Sequence, residues 1–233
     1  MNAVITGATR GIGKAIAEKF AAEGFNVAVC SRNKKDIDEL YDELHQKFPD
    51  VEIIASAYDL SDKKLVKSFA DEIKSSWEAV EVLVNNAGIF LPGHVHKEKA
   101  GTLEKMMKNN LYSAYYLTQA LVKMMIDDKR GHIFNMCSTA SINAYPNGGS
   151  YGISKFALLG FSKNLRMELM KYNIKVTAVI AGATFTSSWE GSEHPEERFM
   201  KAEDVAHVVW DAYTSSPLAV IEEILLRPMK GDI

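Results

Sequence analysis

Two hydrophobic periods alternate along the chain. Short, nearly continuous apolar runs recur at Ala3–Thr6, Asn26–Ser31, Val51–Ala57, Val80–Asn85, His132–Cys137, Ile174–Ile180 and Val220–Leu226. Runs of this kind fit parallel strands covered on both faces. Between them, apolar residues fall three and four apart, the spacing of a single helix face. Ile12, Ile16 and Phe20 form one stripe. Ile37, Leu40, Tyr41, Leu44 and Phe48 form a second, opened by Asn33 as N-cap, and Leu65, Phe69, Ile73 and Trp77 form a third, capped by Ser61. The alternation predicts an α/β fold: one Rossmann-type, doubly wound parallel sheet of about seven strands with helices on both faces. Ligands of such sheets bind beyond the carboxyl ends of the strands, where the strand order reverses.

No repeat or linker divides the 233 residues, so a single domain over 1–233 is expected. Lys and Arg total 27 against 30 for Asp and Glu, a net charge of −3 that gives no reason to seek nucleic acid or an anionic membrane. Cys30 and Cys137 are far apart in apolar runs, which excludes a disulfide framework and suits the cytoplasm. No secretory signal opens the sequence, and the longest charge-free run, Gly131 to Ser154, is too polar to span a bilayer.

The turns after strands carry the chemistry. Thr6-Gly7-Ala8-Thr9-Arg10-Gly11-Ile12-Gly13 links the first strand to a helix, and glycines there let the backbone and free helix-start N–H groups approach a pyrophosphate. The spacing is G-x-x-x-G-x-G rather than the commoner G-x-G-x-x-G. The second strand ends in Ser31-Arg32-Asn33, without the acid that would hold a ribose 2′-hydroxyl. Arg32, with Arg10, suits a 2′-phosphate, so NADP(H) is expected over NAD(H); the competing reading is two solvated arginines.

Tyr151 and Lys155 are four apart on one helix face. The pair alone also describes an ordinary surface helix. A phenol with pKa near 10 needs its anion stabilised to act as acid and base near neutrality, and an ammonium can do that. Ser138 directly follows the fifth strand, with Asn143–Ser150 reading as a loop between it and the tyrosine. Ser141 and Ser150 compete for the same role.

Together these motifs resemble the short-chain dehydrogenase/reductase family over essentially the whole chain, carried by Thr6 to Gly13, Asn85-Asn86-Ala87-Gly88, Asn110, Ser138, Tyr151 and Lys155. The resemblance implies hydride transfer between nicotinamide and a carbonyl carbon. It implies Tyr151 as the acid–base, Ser138 holding the substrate oxygen, Lys155 lowering the tyrosine pKa and gripping the ribose, and Asn110 anchoring a proton-relaying water. The cofactor contacts it implies fall on Gly7, Thr9, Arg10, Gly11, Ile12, Gly13, Ser31, Arg32, Asp59, Leu60, Asn85, Ala87, Gly88, Tyr151, Lys155, Gly182, Thr184 and Thr186. Asp59 would meet the adenine and Thr186 the carboxamide.

Two departures stand out. The family's Pro-Gly after the sixth strand is Ala181-Gly182 here, which is expected to loosen that loop. The substrate lid, near residues 186–201, is short and carries Glu190, Glu193, Glu196 and Glu197, read as a solvated face. His94 and His96 lack companions at ligand spacing, so no metal is expected; His94 or Leu91 remains a candidate for the pocket wall. The expected function is an NADP(H)-dependent oxidoreductase interconverting a small ketone or aldehyde and an alcohol. Alternatives are a 3-oxoacyl-carrier-protein reductase, with Lys129, Arg130 and Lys171 as a basic docking site for an acyl carrier protein, and a non-catalytic NADP-binding sensor or scaffold. A homodimer or homotetramer is expected through the apolar helix around Leu111–Met125 and the helix near Tyr151.

Overall fold

The computed structural model describes residues 1–186, 189, 191 and 193–232. The elements are β1 (Asn2–Thr6), α1 (Gly11–Ala22), β2 (Asn26–Ser31), α2 (Lys34–Lys47), β3 (Ile53–Ala57), α3 (Lys63–Ser76), β4 (Val82–Asn85), α4 (Thr102–Met107), α5 (Ser113–Asp128), β5 (Gly131–Ser138), α6 (Gly149–Leu169), β6 (Ile174–Ala181), α7 (Ala202–Thr214) and β7 (Glu223–Leu226). The seven strands form one parallel sheet in the order β3-β2-β1-β4-β5-β6-β7. The order reverses between β1 and β4, which places the ligand crevice beyond their carboxyl ends.

Alternate strand residues feed two layers. Ala3, Ile5, Val27, Val29, Val82 and Val84 pack under α1, α2 and α7, whereas Val4, Ala28, Leu83 and Ile133 pack under α3 and α5. This two-sided burial is why the strands read as continuous apolar runs. The expected strands lie where predicted, but the third, fourth and seventh start at Ile53, Val82 and Glu223, where pairing with Val27, Ala3 and Ala178 begins. Val80 is buried without joining the ladder, because burial needs no strand partner. In α3 the stripe is Val66, Phe69, Ala70 and Ile73, with Leu65 on the exposed side, and the cap is Asp62 rather than Ser61, its carboxylate accepting the Lys64 N–H at 2.7 Å. Asn33 caps α2 as expected, at 3.0 Å from the Lys35 N–H. The helix expected around Leu111–Met125 is preceded by a π-helical turn, Lys108–Tyr112, which holds Asn110. Among the described residues no helix is long and apolar enough to cross a membrane.

At the amino end of β5, His132 is buried and stacked on Phe134 with ring centroids 3.9 Å apart. Thr177 donates its hydroxyl proton to the Ile221 carbonyl at 2.6 Å, so His132 Nε2 must donate to Thr177 Oγ1 at 2.7 Å. Nδ1 is left without a partner. Burial, helped by Lys175, pushes the His132 pKa down to about 3, so the folded protein holds the ring neutral while the unfolded chain titrates near 6.5. The unfolded state therefore binds the extra proton. This contribution is complete above about pH 6.5 and is lost as pH falls toward 3. Denaturant unfolding at pH 7.5 and pH 5.0 should show a loss of about 2 kcal/mol from this group. His132→Gln, whose amide can still donate to Thr177, should flatten that dependence; an unaltered slope would remove His132 as its source.

Candidate active site

A cleft of about 930 Å³ opens at the carboxyl ends of the central strands. Its wall runs from the glycine turn and the ends of β2 and β3, past the segment after β4, to Ser138, the loop before α6, and the segment after β6.

One end is organised around the glycine turn. Gly7 has φ +64°, and a Cβ there would lie 3.0 Å from the Ala87 Cα; a Cβ on Gly13 would collide with the Gly7 carbonyl and the Asn86 amide. The turn is bare because side chains have no room. Arg10, at the N-cap of α1, gives no side-chain cap, and the first turn holds no acid, so the leading N–H groups face the cleft as an anion site. Those features fit a dinucleotide pyrophosphate. Arg10 and Arg32 are both exposed on this wall, and neither guanidinium is in an ion pair. Asp36 is the nearby acid, and Thr9 Oγ1 donates to Ser31 Oγ at 3.3 Å. Asp59, Leu60, Ala87 and Gly88 continue the wall, and Gly182, Thr184 and Thr186 close it from β6.

At the other end stand Ser138, Tyr151 and Lys155. Ser138 ends β5, its N–H donating to Ser141 Oγ at 3.1 Å and its own Oγ accepting the Ala140 N–H at 3.1 Å. The Tyr151 side chain shares this end of the cleft wall with Ser138. The rival serines are committed elsewhere: Ser141 is fully buried behind Ser138, and Ser150 donates to Glu98. Burial pushes the Tyr151 phenol above its ordinary value, while the Ser138 hydroxyl nearby pulls it down. Burial also pushes Lys155 below its ordinary value; its Nζ donates to the Met136 carbonyl at 2.7 Å and sits 5.8 Å from the Tyr151 ring centre. In this arrangement burial outweighs the expected lowering of the phenol's pKa.

Several expected residues lie off the wall. Asn85 is buried, its amide donating to Thr118 Oγ1 at 3.0 Å and Asn135 Oδ1 at 2.8 Å; Asn86 is the one that faces the cleft. Asn110 is also buried. It pairs with both backbone groups of Ile89, at 2.8 and 3.0 Å, and donates to Ser154 Oγ at 2.9 Å, whose hydroxyl donates to the Tyr151 carbonyl at 2.7 Å. Neither His94 nor Leu91 reaches the cleft wall, and Glu190 lies outside the described residues. Among the described residues no three His, Cys, Asp or Glu side chains gather as a metal site. The segment after Ala181 is pinned rather than loosened. Ala181 pairs with both Ser138 and Leu226, Gly182 N–H donates to Leu226 O at 2.8 Å, and residues 183–185 exchange two backbone bonds with Met200.

Glu98 had no sequence signal, because its partner is 52 residues away. Gly148, at the N-cap of α6, provides no side chain, and the Glu98 carboxylate takes its place, accepting the Ser150 N–H at 2.8 Å and the Ser150 hydroxyl. These bonds hold the Glu98 carboxyl below its ordinary pKa, so the clamp is present at neutral pH and lost as pH falls through that lowered value. Glu98→Ala should cost about 1 kcal/mol of stability, the scale of a lost N-cap, and lower kcat by misplacing the first turn of α6. Glu98→Gln, which can still accept one N–H, should fall between the two. Calorimetry and steady-state rates check this, and wild-type values for Glu98→Ala would show the cap to be idle.

A family model of the short chain dehydrogenases matches residues 1–197. A sepiapterin reductase of Chlorobaculum tepidum is 32% identical over 238 residues, covering 99% of this chain and 97% of its own length. A metagenomic short-chain oxidoreductase solved in complex with NADP superposes with a TM-score of 0.85 at 31% identity, over 98% of this chain and 97% of that one. An alcohol dehydrogenase from the archaeon Thermococcus sibiricus, complexed with 5-hydroxy-NADP, gives a TM-score of 0.90 at 26% identity, over 98% and 96%. With its glycine turn, its single parallel sheet and the Ser138–Tyr151–Lys155 cluster at one end of the cleft, the chain belongs to the short-chain dehydrogenase family of oxidoreductases.

Proposed function

We propose that this protein is an NADP(H)-dependent carbonyl reductase that converts a ketone or aldehyde to an alcohol. The observation that carries the reading is the grouping of Ser138, Tyr151 and Lys155 at one end of a cleft whose other end offers two uncommitted arginines. When bound, the nicotinamide supplies the hydride. Tyr151 gives its proton to the carbonyl oxygen as charge develops there, and Ser138 holds the same oxygen. Lys155 binds the nicotinamide ribose and carries positive charge beside the phenol. Asn110 fixes Ile89 against α6, and with its amide committed there it holds the scaffold rather than the expected relay water. A phenol held above its ordinary pKa stays protonated through neutral pH, the form from which it donates to a carbonyl oxygen.

Arg32 and Arg10 support NADPH over NADH through charge-assisted bonds to a 2′-phosphate. The basic docking site for a carrier protein has less support, because Arg130 is engaged by Glu81 at 2.8 Å and by Asp128 at 3.3 Å. Pairing with a second copy is supported by Tyr112, Tyr115, Ile153 and Phe156, which are exposed along α5, α6 and the turn before α5. Light scattering at micromolar concentration should return at least a dimer, and a monomer there would refute the pairing.

Calorimetric titration should show NADPH binding more tightly than NADH. Arg32→Ala should weaken NADPH by about 1.5–3 kcal/mol and barely alter NADH. Tyr151→Phe should retain NADPH binding while losing about 10²–10⁴-fold in turnover. Equal wild-type affinities would sink the NADP assignment, and near-normal rates in Tyr151→Phe would assign the proton to another group.

A further inference from the structure

Besides Tyr58, which stands next to Asp59 at the glycine-turn end, three aromatic side chains lie on the cleft wall without a part in the proton chemistry: Phe90, Tyr145 and Trp189. Phe90 follows β4 and meets the Tyr151 ring edge to face, with centroids 4.8 Å apart and planes at 79°. It is 39% exposed and Tyr145 is 42% exposed, so both rings present open faces in the cleft rather than packing into the core. Burial and the neighbouring Tyr151 push the Tyr145 phenol up to about 12, which keeps it uncharged. Trp189 enters from the segment after β6. Its ring packs on Phe199 at 5.0 Å, Phe199 meets Phe185 at 5.7 Å, and the Trp189 backbone N–H donates to the Thr186 carbonyl at 2.9 Å. The rings come from three separate segments of the chain and share the wall with Tyr151.

The charges on the same wall are unfavourable to an anionic guest. Among the described residues its only lysines and arginines are Arg10, Arg32 and Lys155. The two arginines belong to the glycine-turn end, and Lys155 is buried with its Nζ on the Met136 carbonyl. Of the carboxylates on the wall, Asp36 and Asp59 stand at the glycine-turn end, and Asp232 is paired with Arg227. A substrate carboxylate would meet the Asp232 carboxylate, and Lys155, the cation at that end, is buried in the Ser138–Tyr151–Lys155 cluster where the carbonyl oxygen has to sit.

We infer that the substrate is an uncharged carbonyl compound bearing an aromatic ring, with the ring held among Phe90, Tyr145 and Trp189 and the carbonyl oxygen at Ser138 and Tyr151. The inference rests on the carbonyl-reductase reading. The carbonyl carbon gains a hydride and its oxygen a proton, while NADPH is oxidised to NADP⁺ and the alcohol is released. Apolar walls accept a saturated ring as readily as an aromatic one on area alone. Aromatic walls add edge-to-face and offset-stacked contacts that only an aromatic ring can complete.

Phenylacetone and cyclohexylacetone separate these terms, because neither carbonyl is conjugated and the two differ only in the ring. Phenylacetone should lead by about 10-fold in kcat/KM, the scale of one or two aromatic contacts. Trp189→Leu should shrink that ratio toward one. A para-carboxylate on phenylacetone should cost at least about 10-fold against the para-carboxamide. Binding is read apart from turnover: 1-phenylpropan-2-ol should quench the wild-type tryptophan fluorescence and leave Trp189→Phe unchanged, since Trp77 and Trp210 pack within the layers and off the cleft wall. Equal rates for the two ketones, or a faster carboxylate, overturn the substrate class while leaving carbonyl reduction in place. Quenching at Trp189 with no NADPH oxidation by any ketone supports the ring pocket and sinks the reductase reading. Absence of quenching overturns the pocket.

Discussion

The cleft depends on a clasp between the ends of β1 and β4. The buried Thr6 hydroxyl accepts the N–H groups of Asn86 and Ala87 at 3.0 and 2.9 Å and donates to the Val84 carbonyl at 3.3 Å. In return, the Asn86 amide donates to the carbonyls of Thr6 and Gly7, both at 2.9 Å. Neighbouring parallel strands diverge into separate loops at their carboxyl ends, and here those loops would otherwise leave several polar backbone groups without partners. The clasp satisfies them and fixes the glycine turn relative to the segment after β4. The steric limits at Gly7 and Gly13 follow from it, since the atoms a Cβ would strike belong to Gly7, Asn86 and Ala87.

From that clasp a second chain of bonds reaches the reacting groups. Ile89, three residues past Asn86, is held by both polar atoms of Asn110, and Asn110 holds Ser154, whose hydroxyl bonds the Tyr151 carbonyl. The π-helical turn at Lys108–Tyr112 aims the Asn110 amide at both neighbours. Glu98 secures the same first turn of α6 from its other side, and the β5–β6 ladder fixes Ser138 opposite Ala181. Tyr151 and Ser138 are therefore positioned by three independent supports. Catalytic geometry needs such redundancy, because a displacement of about 1 Å is costly in rate.

The parts of this arrangement that were legible in the sequence are those with a local signature. The five inner strands read as apolar runs because both of their faces are covered, and the edge strands β3 and β7 read as apolar runs although they are only partly buried. The glycine turn, Ser138, Tyr151 and Lys155 read as short motifs at strand ends. What escaped the sequence depends on distance along the chain or on phase within a helix. Glu98 caps a helix half a hundred residues onward, and nothing near it distinguishes it from any exposed glutamate. Leu65 and Val66 are equally apolar, and only the rotation of α3 decides that Val66 is buried. Asn85 and Asn86 are adjacent and chemically identical, yet strand alternation turns one into the core and the other to the cleft. The loss of proline at Ala181 looked like a gain in freedom because the Leu226 and Met200 contacts that pin this segment come from distant elements.

The two ends of the cleft solve opposite electrostatic problems. At the glycine turn, exposed N–H groups and two solvated arginines offer positive potential to a polyanion without burying any charge, so nothing is spent on desolvation. At the catalytic end, Lys155 is buried with no carboxylate beside it, and burial lowers its pKa accordingly. A buried carboxylate partner would relieve that cost and would also cancel the field at the phenol. A carbonyl acceptor, Met136 O, satisfies one ammonium hydrogen and leaves its charge uncompensated. In the proposed reaction the ammonium keeps its attraction for negative charge developing near Tyr151, in surroundings dry enough to make that attraction strong. The raised phenol and the unpaired ammonium are then two consequences of the same burial, one holding the proton in the resting cleft and the other easing its departure.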